Sequence, residues 1–174
     1  NIMGEADFVV VAPKLGLLVI EVKSHRKISF TEEGWRYGNS KKFDYRGPFK
    51  QAKEAMYAIK EYLEKIDEHF SKVLFTYAAC FPLTEFKTRS PEWHQWQVID
   101  ADLLYKYSIS QICINIFNKE AGHIKSRGRE FAEKQHLFSS EKVCKKIIKI
   151  LRPTFETPEF FTINSEQEKL LHSY

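Results

Sequence analysis

Long apolar runs are missing from this 174-residue chain. No stretch approaches the ~20 apolar residues that cross a bilayer, which excludes a membrane-spanning helix, and no secretory signal pattern opens the sequence. Cysteine is scarce. Cys80, Cys113 and Cys144 are odd in number, far apart and set among apolar residues, which excludes a disulfide framework and predicts buried, reduced thiols in a cytoplasmic compartment. No Cys/His group has zinc spacing, and the histidines are scattered. Internal repeats, low-complexity tracts and a phosphate-binding Gly-x-x-x-x-Gly-Lys-Ser/Thr loop are all absent, so ATP hydrolysis by this chain alone is not expected. The sequence opens on Asn1 rather than methionine, as expected of a piece of a longer protein.

What remains reads as soluble and globular, with 43% hydrophobic and 29% charged residues and enough length for one core but not two comfortable ones. The net charge of +4 is unevenly spread. From Lys119 to Arg152 ten Lys/Arg stand against four Glu, so this segment carries +6 and the rest of the chain −2. A second basic group is Lys41, Lys42, Arg46, Lys50 and Lys53. Either group can serve a polyanion or form ordinary solvated helix faces.

The strongest pattern is a pair of apolar, valine-rich runs, Phe8 to Ala12 and Leu17 to Val22, separated by Pro13-Lys14-Leu15-Gly16. This predicts a tight antiparallel hairpin. With the turn centred on Lys14, Asp7 lies across from Glu21; a longer turn shifts the register by one and needs a bulge to reunite them. Glu21 and Lys23 share a strand face because side chains alternate. Lys27 to Phe30 and Trp35 to Tyr37 predict a second, more exposed hairpin, and Gly38 to Gly47 a polar loop. Gly47-Pro48 opens a long amphipathic helix with Ala52, Ala55, Met56, Ile59, Leu63 and Ile66 at spacings of three and four. Strands are expected at Val73 to Phe81 and Trp96 to Ile99, and helices at Ile109 to Phe117, Arg129 to Leu137 and after the capping Ser139-Ser140-Glu141, ending at Pro153. Thr154 to Glu159 reads as a linker.

Carboxylates at Asp7 and Glu21, adjacent on a sheet, repel by about 4 kcal/mol at ~4 Å and an effective dielectric of ~20. Protonation of one, or a cation between them, relieves this. A hard cation such as Mg²⁺ takes oxygen ligands, and the Val22 carbonyl is a third donor. Lys23 beside such a cation can orient or deprotonate a nucleophile, or neutralise charge on a phosphate. The set suits phosphodiester hydrolysis. The simpler alternative is a salt bridge of Asp7 or Glu21 with Lys23.

Gly4-Glu5-Ala6-Asp7 followed by Leu18-Val19-Ile20-Glu21-Val22-Lys23, then Trp35, Pro48-Phe49-Lys50-Gln51-Ala52, Phe81-Pro82 and Asp100-Ala101-Asp102-Leu103, in that order, resembles the NERD (nuclease-related) domain of the PD-(D/E)xK superfamily. The resemblance spans residues 4 to 104. It implies a three-layer α/β/α, restriction-endonuclease-like core with a mixed central sheet over residues 1–104. A helical extension over 105–153 and a linker with the possible start of a helicase domain over 154–174 are expected to follow. It also implies a nuclease dependent on Mg²⁺ or Mn²⁺ that cuts DNA, single-stranded or branched substrates included. Asp7 and Glu21 are then metal ligands with the Val22 carbonyl, Lys23 is the catalytic lysine, and Gln51 is an accessory glutamine or a helix-start hydrogen bonder. Glu5 contacts metal or pairs with a base. Lys50, Lys53, Arg127 and Arg129 are candidates for the DNA backbone. The superfamily's usual helix before the first strand, with its extra acid, is expected to be missing. Phe161 to Leu171 is similar to the opening of superfamily 1 helicases, where a Gln reads adenine, which implies a helicase partner in repair or anti-phage defence. The alternatives are a non-catalytic nucleic-acid-binding or docking module with a vestigial site, and a structural domain that positions a helicase.

Overall fold

Apolar residues at every position from Leu17 to Ile20 predict a strand buried on both faces, and that strand is the centre of the structure. The computed structural model describes residues 6–128 and 140–151. In order these form β1 (Phe8–Ala12), β2 (Gly16–Val22), β3 (Ile28–Thr31), β4 (Gly34–Tyr37), α1 (Gly47–Ile66), a 3₁₀ turn (Glu68–Lys72), β5 (Phe75–Phe81), a second 3₁₀ turn (Gln95–Gln97), β6 (Val98–Asp100), α2 (Ala101–Lys106), α3 (Ile109–Ser126) and α4 (Glu141–Leu151). The main sheet has the order β1-β2-β5-β6, with β1 antiparallel to β2 and the other pairs parallel. Strands β3 and β4 form a separate hairpin.

The β1–β2 register runs from Phe8↔Ile20 to Ala12↔Gly16, centred on Lys14, the first of the two registers that the sequence leaves open. Lys14 turns in the left-handed region (φ 64°). Continued outward by one pair, this register sets Asp7 opposite Glu21 without a bulge.

Alternation along β2 divides the core into two. Leu17 and Val19 pack with Ala52, Ala55, Met56 and Leu63 of α1 and with Ile147 of α4. Leu18 and Ile20 face the other way, onto Ile112, Ile116 and Phe117 of α3. The result is a mixed sheet between helical layers, the α/β architecture expected of a nuclease-like core. Lys146 ties α4 to Asp67, and that bond, with the His69 amide and ring, holds the Asp67 carboxyl well below the usual carboxylate range.

A third cluster, almost wholly aromatic, joins the β3–β4 hairpin to the start of α1, the end of β5 and the loop after it. Trp35 packs within 6.0 Å, centroid to centroid, of Phe30, Phe49, Phe81, Phe86 and Trp93. Gly47 is required here. Its φ is 65°, and a Cβ would collide with the Trp35 indole nitrogen. Gly47→Ala is therefore expected to lower stability by about 1–3 kcal/mol in chemical denaturation, from overpacking and backbone strain; an unchanged midpoint would contradict this packing.

Three expectations need correction. Residues 95–97 form a 3₁₀ turn instead of opening a strand, and β6 is only Val98–Asp100. The turn wins because Gln97 is used twice: its Oε1 accepts from the His94 amide at 2.9 Å, and its Nε2 donates to the Tyr77 carbonyl at 3.3 Å, capping the β5 edge itself. Strand β5 begins at Phe75 rather than Val73, because Asp67 caps a 3₁₀ turn through Lys72. The helix expected at Ile109 to Phe117 runs on to Ser126. Ser140 Oγ accepts from the Val143 amide at 3.2 Å and opens α4 as expected. The expected helix at Arg129 to Leu137, the linker and the helicase-like segment lie outside the described residues.

Candidate active site

Glu21 and Lys23 continue, past the end of the packed core, the same face of β2 that buries Leu17 and Val19 against α1. Because α1 packs on that face through Ala52, Ala55 and Met56, its first turn arrives over the end of β2. Gln51, at the edge of the apolar stripe, thereby meets the strand. Lys23 Nζ donates to Glu21 Oε1 at 2.7 Å and to Gln51 Oε1 at 3.0 Å. The Tyr37 ring lies 5.9 Å from the same ammonium. Glu21 is buried at 8% exposure, which strengthens its pairing with Lys23 relative to a surface ion pair. Three of the residues singled out from the sequence thus form one hydrogen-bonded cluster.

Asp7 approaches from the β1 side. Its Oδ2 accepts from the Val22 amide at 2.7 Å, and the carboxylate is exposed. Backbone N–H and C=O of one strand residue point to the same side. The Lys23 amide donates to Cys80 O on β5, so Val22, one residue earlier, directs both of its groups toward β1. The Val22 carbonyl therefore lies on the strand edge where Asp7 sits. Among the described residues no three His, Cys, Asp or Glu side chains are grouped for a metal. The donors at this edge are two carboxylates and a carbonyl. Hard oxygen donors of that kind are ones that Mg²⁺ or Mn²⁺ could take.

Sequence reasoning missed two members of the cluster. Asp44, in the loop before α1, accepts through Oδ2 from Gln51 Nε2 and from the Tyr37 hydroxyl, each at 3.3 Å. Its Oδ1 accepts from the amides of Arg46 at 2.9 Å and Gly47 at 3.2 Å. A two-way backbone bridge with Trp35 fixes Asp44 from behind, at 3.0 and 2.8 Å. Burial, then the charges of Asp44 and Glu21, push the Tyr37 phenol far up, so it stays protonated and donates. The one legible signal was an Asp three residues before Gly-Pro, a common way to satisfy amides at a helix start; nothing local linked it to Gln51.

The remaining candidates fall in several places. Glu5 and Arg129 lie outside the described residues. Lys50 is exposed on α1. Lys53 and Arg127 line one cleft of about 250 Å³, with Tyr57, Lys60, His94 and His123. This cleft opens at the part of β5 that β6 does not reach. Glu120 also lines it, accepting from Thr76 at 3.3 Å. Burial, then the neighbouring His123, lower the pKa of His94, against an opposing pull from Glu120. Elsewhere the basic residues are often already paired: Arg46 with Glu54, Lys145 with Glu141, Lys106 with Asp102. Cys80, Cys113 and Cys144 are buried and none is in a disulfide among the described residues. Burial raises the Cys80 thiol to about 11, with Asp100 and Cys113 adding to it, so it is a packing group and not a nucleophile.

The fold and cluster together define an α/β domain with carboxylates and a lysine converging at the end of an inner strand. Residues 2–82 match the family model described as NERD, the nuclease-related domain. The match covers β1 through β5 and includes every residue of the cluster. No curated protein and no solved structure matches the chain. No described helix is long and apolar enough to cross a membrane.

Proposed function

We propose that this chain is a metal-dependent nuclease that hydrolyses DNA phosphodiester bonds. The observation that carries the reading is the Glu21–Lys23–Gln51 cluster beside Asp7 and Val22, inside the segment that matches a nuclease-related family. Asp7, Glu21 and the Val22 carbonyl would hold Mg²⁺ or Mn²⁺. When bound, the cation supplies a Lewis acid and a more acidic water. Lys23, held in place by Glu21 and Gln51, presents its ammonium to charge that develops on the phosphate as water adds and the P–O ester bond breaks. Gln51 holds that ammonium at the strand end, so it costs no reorganisation during reaction.

The cleft containing Lys53, Lys60 and Arg127 supports contact with the DNA backbone, where cations position a duplex or single strand without reading sequence. Lys53→Ala and Arg127→Ala are each expected to weaken binding alike across sequences and to reduce the salt slope by about 1. Binding titrations at several salt concentrations check this. An unchanged slope in both variants would remove the cleft from the interface. Coupling to a C-terminal helicase rests on the resemblance of residues 161–171 and belongs to the same proposal.

The direct test incubates the full-length chain with labelled duplex, single-stranded and branched DNA, with Mg²⁺, Mn²⁺ or a chelator. Cleavage by the parent that disappears with chelator and in Glu21→Ala and Lys23→Ala is the expected result. Equal cleavage by parent and variants would sink the assignment. A second reading, a docking module with a vestigial site, draws on the 2.7 Å Lys23–Glu21 salt bridge, which already satisfies both charges. It predicts salt-sensitive DNA binding that survives Glu21→Ala, with no cleavage under any metal.

A further inference from the structure

The Gln51 amide has two ends, and only one orientation suits the lysine. With Oε1 toward Lys23 the ammonium gains an acceptor at 3.0 Å; with the amide turned over, Nε2 and Nζ would set donor against donor. What faces the other end decides the matter. Asp44 Oδ2 has only lone pairs to offer, so it takes Nε2 at 3.3 Å and leaves Oε1 for Lys23. Asp44 is itself held rigidly, through Oδ1 on the Arg46 and Gly47 amides and through its backbone bridge to the buried Trp35. The Tyr37 hydroxyl donates to the same Oδ2 and its ring lies against Lys23.

We propose that Asp44 is a positioning residue that fixes the Gln51 amide and, through it, the Lys23 ammonium. Its kinetic consequence rests on the nuclease reading; its geometric half does not. On this proposal Asp44 acts through Gln51 and not on the substrate. It sits on the loop before α1, so it couples the anchoring of that loop by the aromatic cluster to the strand end where Lys23 stands.

Asp44→Asn separates the two roles of this side chain. Its Oδ1 keeps the Arg46 and Gly47 amides, so the helix start is preserved, while an NH₂ now faces Gln51. The Gln51 amide must then turn over and present Nε2 to Lys23. Gln51→Glu added to Asp44→Asn restores complementarity, since a carboxylate accepts both from the new side-chain NH₂ at position 44 and from Lys23. In the metal-free full-length chain, thermal unfolding is expected to show a lower midpoint for Asp44→Asn and recovery of most of that loss in the double variant. In cleavage assays kcat of Asp44→Asn is expected to fall on the order of 10²-fold, with KM within about three-fold of the parent, and to recover in the double variant to within about ten-fold. Strictly additive losses in both measurements, or an unchanged kcat in Asp44→Asn, would overturn the proposal. If the parent itself fails to cleave, the nuclease reading fails and the thermal cycle alone decides the geometry. The parent also provides a check that needs no folded variant. The Gln51 side-chain NH₂ resonances should be shifted from those of free glutamine and protected from exchange; resonances at solvent-exposed positions would overturn it.

Discussion

Glu21→Gln is expected to lower kcat for DNA cleavage by about 10³-fold while leaving the fold intact. Gln at this position still fills the volume at the end of β2 and still offers an amide oxygen to Lys23 Nζ, now at 2.7 Å from Glu21 Oε1. What disappears is the negative charge. That charge is asked to do two things in the nuclease reading: to share a divalent cation with Asp7 and Val22, and to hold the Lys23 ammonium at one place. Removing a single preorganised electrostatic group from an active site typically costs 10²–10³ in kcat, and loss of the cation adds to that. Lys23→Met should show a comparable loss of rate for a different reason, since the carboxylates remain while the ammonium is gone. The two variants are distinguished by Mn²⁺ binding in calorimetry, expected to be lost in Glu21→Gln and kept in Lys23→Met. Binding that is equal in both variants and the parent would remove Glu21 from the metal site.

The second large effect is on stability. Trp35→Ala is expected to destabilise the chain by about 3–5 kcal/mol, the usual cost of truncating a buried aromatic and leaving a cavity. Trp35 is 3% exposed and is the hub of the cluster that binds the β3–β4 hairpin to Phe49 of α1, Phe81 of β5 and the Phe86–Trp93 loop. At a typical ~2–4 °C per kcal/mol for a domain of this size, the melting midpoint should fall on the order of 10 °C. Activity should fall further than stability alone explains, measured at a temperature where the variant is still folded. The reason is local: the backbone of Trp35 bridges Asp44, and Asp44 holds Gln51. Trp35→Phe, which keeps an aromatic ring in the cluster, should lose less on both counts. A Trp35→Ala protein with the parent's midpoint would contradict the packing described for this cluster.

What the sequence made legible was whatever a short window of residues specifies. The β1–β2 hairpin followed from two valine-rich runs and a Pro-Lys-Leu-Gly turn, while its register stayed open between two turn lengths until the structure centred it on Lys14. Helix α1 followed from Gly47-Pro48 and an apolar repeat, and the start of α4 from Ser140. Within the cluster, Glu21 and Lys23 were legible because charges at the end of a buried strand are costly and must be answered. Gln51 was legible only through family resemblance and its place on the helix stripe. Asp44 and Tyr37 were not legible. Their roles depend on a loop folding back so that Asp44 bridges Trp35, a contact that no local spacing announces. The 3₁₀ turn at Gln95–Gln97 was hidden for a similar reason: Gln97 gives up strand geometry to cap the carbonyl of Tyr77, twenty residues away in sequence.

The basic charge shows how composition alone divides. Part of it is tied up in pairs along helix faces, and Lys146 is spent on docking α4 through Asp67. Among the described residues, the cleft at the open edge of β5 gathers cations around a concave surface, with aromatic Tyr57 and the stacked His94–Trp96 pair nearby, and a second cleft gathers Lys27, Arg36 and Lys41.

The most direct measurement for the central claim is the single-turnover rate of DNA cleavage by the full-length chain as Mg²⁺ is raised from zero. The account predicts no cleavage without metal, a rise to saturation, loss on adding chelator and recovery when Mg²⁺ is restored. Cleavage that proceeds equally in chelator, or a chain that stays inert at every Mg²⁺ and Mn²⁺ concentration, would contradict it.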